Sequence, residues 1–142
     1  MKAAKRLFNQ YVLYLAWVTA IAAMAGSLIF SEVFGYAPCL LCWYQRIAMY
    51  PLVVIIAVGI YLRDKKLYLY ALPLSIIGTI VAFLHVLLEN GIISEALFPC
   101  RVGVSCSTKY VNYFGFVTIP VLSLMAFIFI TFCLLYNWRI NK

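Results

Sequence analysis

Apolar runs, free of charge except for Arg46 near the start of the second, divide the chain into four long stretches: about Tyr11 to Phe30, Trp43 to Leu62, Tyr68 to Leu88 and Phe114 to Tyr136. At about 1.5 Å rise per residue, each is long enough to cross the roughly 30 Å hydrocarbon layer of a bilayer. A span surrounded by lipid must satisfy its own backbone, so each is predicted to be helical. Pro51, Pro73 and Pro120 interrupt the runs, which membrane helices tolerate where neighbours take up the freed carbonyls. Short connections predict antiparallel neighbours, so residues 1–142 read as a single domain, an all-α four-helix membrane bundle. Ala16, Ala20, Ala23, Ala25 and Gly26 on the first span suit the close approach that packed membrane helices prefer.

Composition sharpens this picture. The 142 residues are 67% hydrophobic and 11% charged, against roughly half and a quarter in a soluble domain. Charge then sets direction. Lys2, Lys5, Arg6, Arg63, Lys65, Lys66, Arg139 and Lys142, eight of the eleven basic residues, flank the spans at one end. Basic flanks stay in the cytoplasm, so both termini are expected there, with the loops at about 31–42 and 89–113 outside. The net charge of +7 is thereby a topology signal with some attraction to acidic lipid, and nucleic acid is not expected as a partner. The basic start and the small residues Ala22 to Gly26 resemble a signal peptide. The apolar run, however, continues to Phe30, beyond a signal core of about 7 to 15 residues, so the first span is expected to be retained.

The candidate chemistry lies in the two outer loops. Residues Pro38 to Arg46 read PCLLCWYQR, and the other outer loop holds Cys100 and Cys106. Thiols on an external face meet an oxidising compartment where disulfides persist. Cys133, deep in the fourth span, cannot join them and reads as a core residue. Pro38 should hold Ala37 extended, leaving Cys39 in the entering loop and Cys42 in the first helical turn. The unpaired N–H groups of that turn, with Arg46 one turn on, predict a depressed thiol pKa at Cys42. Cys100 and Cys106 close a small loop containing Gly103, approached through Pro99, and an exposed or strained disulfide is the reducible kind. A structural staple remains open for both pairs. A four-cysteine zinc site is disfavoured because five residues, RVGVS, separate the second pair where two to four are usual, and no metal is expected.

These features resemble the DsbB family of membrane thiol oxidases, especially its short BdbC-like members. The resemblance covers nearly the whole chain: four spans, the Cys-X-X-Cys followed by aromatic, tyrosine, polar residue and arginine, and a second cysteine pair before YFGF at Tyr113 to Phe116. It implies catalysis by Cys39, Cys42, Cys100 and Cys106 in a bacterial cell membrane. Cys100 would take electrons from a DsbA-like (BdbD-like) extracytoplasmic thioredoxin-fold protein, Cys106 would attack Cys39, and Cys42 would leave as thiolate beside a bound quinone stabilised by Arg46. The bacillus-like resemblance favours menaquinone over ubiquinone. Five residues between Cys100 and Cys106 make this loop shorter than in longer members, which puts its travel toward Cys39 in question. Trp43 and Tyr44 read first as an interfacial aromatic belt. His85, at the depth of the thiols with Glu89 one turn on, is a candidate quinone contact because ionisable groups inside membranes are functional candidates. The alternatives are a quinone reductase of the vitamin K epoxide reductase type and a non-enzymatic scaffold stapled by disulfides.

Overall fold

The computed structural model describes residues 2–97, 104–109, 115 and 117–142. Helix α1 covers Lys2–Leu28 and passes into a wide π-helical turn at Ile29–Val33. Helices α2 (Leu40–Tyr61), α3 (Tyr68–Glu89) and α4 (Ile119–Asn141) follow, with a 3₁₀ turn at Glu95–Leu97. Among the described residues, four helices are long and apolar enough to cross a membrane. They form a ring in which α1 packs on α2, α2 on α3, α3 on α4 and α4 back on α1, the α3–α4 seam being the most extensive.

The ring closes through small residues. Ala16, Ala20, Ala48, Ala71 and Ala82 are buried, while Val18, Ile47, Val54, Ile77, Phe83 and Phe132 face outward. With lipid outside, large apolar side chains cost nothing on the surface, and close backbone approach supplies the packing. Gly78 on α3 leaves room for the ring of Phe127 on α4, which would overlap any added Cβ. Polar clips cross the seams: Trp17 Nε1 donates to the Val53 carbonyl at 3.1 Å, the Ser75 and Thr131 hydroxyls lie 2.6 Å apart, and Asn137 Nδ2 donates to Asn9 Oδ1 at 3.2 Å.

Prolines divide by position. Pro51 and Pro73 stand inside unbroken helices, as membrane helices tolerate. Pro120 does not interrupt a span, because α4 starts at Ile119 rather than near Phe114 and so carries this proline in its first turn. There a missing N–H has no partner to lose. Gly115, at φ 82°, turns the chain just before that start. The α2–α3 turn is held by Asp64, which accepts the Lys66 N–H at 2.8 Å and the Tyr70 hydroxyl at 2.6 Å. Those two bonds, the tyrosine's foremost, hold the exposed Asp64 carboxyl below its ordinary range.

Candidate functional site

Pro38 keeps its predecessor extended, and α2 starts two residues on at Leu40, with Cys39 as its N-cap at φ −73° and ψ 173°. The Cys39 sulfur accepts the Cys42 backbone N–H at 3.4 Å, in the manner of a capping oxygen. Cys42 lies in the first turn with its Sγ 2.9 Å from Cys39 Sγ, and both thiols are free. His85 of α3 reaches across: its Nε2 is 3.6 Å from Cys39 Sγ and 3.2 Å from the Cys106 carbonyl oxygen. On the other side of the ring, Gln45 Nε2 donates to Nδ1 at 2.9 Å. This makes Nδ1 the acceptor and leaves the imidazole proton on Nε2, aimed between a sulfur and a carbonyl. Gln45 and His85 are both buried.

The N–H of the helix start and the imidazole therefore converge on Cys39, whereas the sequence placed that stabilisation on Cys42. The Cys42 thiol as hydrogen-bond donor, and then His85, hold the Cys39 thiol well below the ordinary thiol range despite its burial. The capping geometry explains the correction: in a Cys-X-X-Cys that opens a helix, the first sulfur points back at the amides and the second is carried along with them.

Cys106 is disulfide-bonded and buried, and it packs with Cys39, Leu41 and Leu88 in one cluster. Cys100, with Pro99, Arg101 and Gly103, lies outside the described residues. The short loop thus already brings Cys106 to the Cys-X-X-Cys. Cys133 is apart from all of these, free and buried among Phe127, Ile130 and Leu134.

Arg46 turns toward α1, where Nε donates to Ser27 Oγ at 2.9 Å and Nη2 to the Ser27 carbonyl at 2.8 Å. Its guanidinium lies 5.4 Å from the centre of the Trp43 ring. A cavity of about 330 Å³ opens beside it, with Cys39, Cys42, Arg46, His85 and Cys106 on its wall. Its remaining wall is mostly apolar, with Ala22, Ala23 and Gly26 from α1 and Pro120, Leu122 and Ala126 from α4. Glu89, also on the wall, accepts the Thr118 hydroxyl at 2.7 Å. The Tyr50 hydroxyl is buried at this cavity and, among the described residues, has no hydrogen-bond partner.

Sequence reasoning missed Gln45, Ser27 and Tyr50 as parts of this site. Gln45 was accessible from helical spacing, three residues beyond Cys42 on the same face. Tyr50, four residues beyond Arg46 on α2, was accessible in the same way; Ser27 carries no local signal, since it joins from α1.

The family model described as "Disulfide bond formation protein DsbB" matches residues 9–137. The chain is 48% identical over 118 residues to "Disulfide bond formation protein C" of Bacillus subtilis (strain 168), covering 83% of this chain and 86% of the relative. It is 44% identical over 131 residues to "Probable disulfide formation protein C 2" of Bacillus anthracis, covering 92% and 93%. It is also 44% identical over 125 residues to the "Probable disulfide formation protein" of Metapseudomonas resinovorans, covering 87% of each. No solved structure matches the chain.

Proposed function

The chain belongs to the DsbB family of disulfide bond formation proteins, and we propose that it oxidises a DsbA-like (BdbD-like) extracytoplasmic protein and passes the two electrons to a membrane quinone. Family membership makes it a disulfide-forming thiol oxidoreductase in a bundle of membrane-spanning helices, which displaces the stapled-scaffold alternative. The observation that carries the finer reading is the meeting of Cys39, Cys42, His85 and Cys106 on one largely apolar cavity.

In this reading both termini are cytoplasmic, since the basic residues of the α1 start, the α2–α3 turn and the α4 end gather at the bundle end opposite the cysteines. A partner dithiol attacks the Cys100–Cys106 disulfide at Cys100, forming a mixed disulfide and releasing Cys106 as thiolate. Cys106 attacks Cys39 of the Cys39–Cys42 disulfide, and Cys42 leaves as thiolate. The second partner thiol then resolves the mixed disulfide, and Cys100 displaces Cys39 from Cys106. Two electrons and two protons now reside on the inner pair. The state with Cys39 and Cys42 free and Cys106 disulfide-bonded is the one that follows this transfer.

The cavity suits a ring with polar edges and an apolar tail. Its volume is near the lower end of ligand sites, roughly 300 to 1,000 Å³, and the Tyr50 hydroxyl awaits an acceptor such as a carbonyl. Arg46, Tyr50 and His85 would hold the polar edge, with the small residues of α1 and α4 along the tail. When bound, a quinone supplies a two-electron, two-proton acceptor. We favour menaquinone over ubiquinone on the resemblance to bacillus-type members. The test is quinone reduction by the purified protein with a reduced DsbA-like partner, supplied with either quinone analogue. Turnover with one of them is expected; a folded protein with an intact partner that reduces neither would refute the quinone link.

Arg46→Lys keeps the charge but not the planar fork that spans the Ser27 hydroxyl and carbonyl. Loss of one such bond, about 1 kcal/mol, predicts a roughly fivefold fall in turnover at limiting quinone. Steady-state rates across a quinone series check this. An unchanged quinone KM and kcat would show that Arg46 acts only through its charge.

A further inference from the structure

The sequence considered zinc only across four cysteines, but the fold gathers a different set. Cys39 Sγ, Cys42 Sγ and a ring nitrogen of His85 lie within 4.8 Å of one another. Two sulfurs and one imidazole from two helices are the ligand types zinc takes, and three protein ligands leave a fourth position open. We infer that the reduced chain binds zinc through Cys39, Cys42 and His85, with the fourth position opening on the cavity, and that the ion blocks the thiol relay while it is held.

Geometry supports both separations from Cys39 Sγ, and Cys42 Sγ lies within 4.8 Å of a His85 ring nitrogen. Tetrahedral zinc, with Zn–S about 2.3 Å and Zn–N about 2.0 Å, places a sulfur and a nitrogen roughly 3.5 Å apart and two sulfurs roughly 3.8 Å apart. Cys39 Sγ and His85 Nε2 are already 3.6 Å apart. The two sulfurs, at 2.9 Å, need open by less than about 1 Å, a side-chain rotation at a helix end. Charge balances as well: both thiols release their protons and two thiolates neutralise one divalent ion, so burial adds no net charge.

Gln45 completes the site from outside. For Nε2 to ligate, its proton must be lost and Nδ1 must carry one, so the Nδ1–H needs an acceptor. Turning the Gln45 carboxamide over presents Oε1 where Nε2 now stands, 2.9 Å from Nδ1. Outer partners of this kind fix the orientation of a ligating histidine and are worth about 10- to 100-fold in metal affinity.

The oxidised chain lacks the two thiolates, so binding belongs to the reduced state alone. At a hundredfold excess over its dissociation constant, zinc would shift the inner thiol–disulfide equilibrium about a hundredfold toward the dithiol, or about 59 mV for two electrons. A thiophilic cation reaching the reduced site would thus hold the protein as a dithiol and stop its reoxidation.

The test is titration of the full-length protein, in detergent, with Co²⁺ and then with Zn²⁺ in competition. It needs neither partner nor quinone, so its failure and that of the oxidase reading are separable. Reduced wild type should give the thiolate-to-cobalt charge-transfer band and the intense visible bands of tetrahedral cobalt, displaced by zinc; oxidised protein should give neither. His85→Ala should weaken zinc binding at least tenfold and Gln45→Leu about 10- to 100-fold, while Cys133→Ser should bind as wild type. Equal binding by oxidised protein, affinity unchanged in both His85→Ala and Gln45→Leu, or loss of the bands in Cys133→Ser would overturn the assignment. Circular dichroism of each variant separates loss of ligand from loss of fold.

Discussion

Cys42→Ser is expected to reduce regeneration of oxidised partner to the uncatalysed background. The inner pair stores two electrons only because Cys39 and Cys42 can join, and serine cannot form that bond. Cys106 could still exchange with a partner through its own disulfide, so partner capture should persist while turnover stops. Trapped partner adducts on non-reducing gels, beside a steady-state rate, distinguish this from misfolding. Full activity in Cys42→Ser membranes would dismantle the relay.

The same position predicts a pH effect. Cys39 is held below the ordinary thiol range chiefly by the bond from the Cys42 thiol, so its thiolate persists as pH falls below about 8.5 and is lost only on passing its own lowered value. Cys42→Ser keeps a hydroxyl able to donate to Cys39, whereas Cys42→Ala keeps none. The alkylation midpoint of Cys39 should therefore rise more in the alanine variant than in the serine variant. Equal midpoints in all three proteins would assign the shift to something other than this bond.

The second large effect lies in the packing that aligns the site. Gly78→Ala inserts a methyl group where the fully buried Phe127 ring already sits. Overpacking of this kind costs about 1 to 3 kcal/mol, here on the most extensive seam of the ring. Thermal unfolding in detergent should show a clear fall in midpoint. Adding Phe127→Leu should recover part of the loss, because the smaller side chain leaves room for the methyl, and the double-mutant cycle measures that coupling. Additive losses in the double variant would mean that the two residues do not share the space.

The number and order of the helices were legible in the sequence because lipid imposes so few options: apolar runs of sufficient length must be helices, and short connections must reverse them. Their edges were less so. Cys42 falls in the first turn of α2, as Pro38 implied, but the capping of that turn by the Cys39 thiol was not legible, because ordinary capping preferences reserve the role for oxygen side chains. The start of α4 at Ile119 depended on recognising Pro120 as a first-turn residue rather than an interruption. The cysteines and Arg46 could be singled out by residue type and spacing, and His85 by being ionisable at that depth. What spacing could not supply was direction: that Arg46 turns to Ser27, that His85 faces Cys39, and that Gln45 lies behind the imidazole. Those are products of how α1, α2 and α3 rotate about their own axes when the ring closes.

The wide turn at Ile29–Val33 fits more chain into its length than an α-helix would. Ser27, which receives Arg46, lies below it, and the connection to Cys39 lies above. Deleting one residue within the turn would be absorbed by reversion to regular winding, leaving both the Ser27 anchor and the heading of the chain beyond it nearly undisturbed. The end of α1 thus works as a length adjuster: chain can be gained or lost above the anchor without moving the arginine below it.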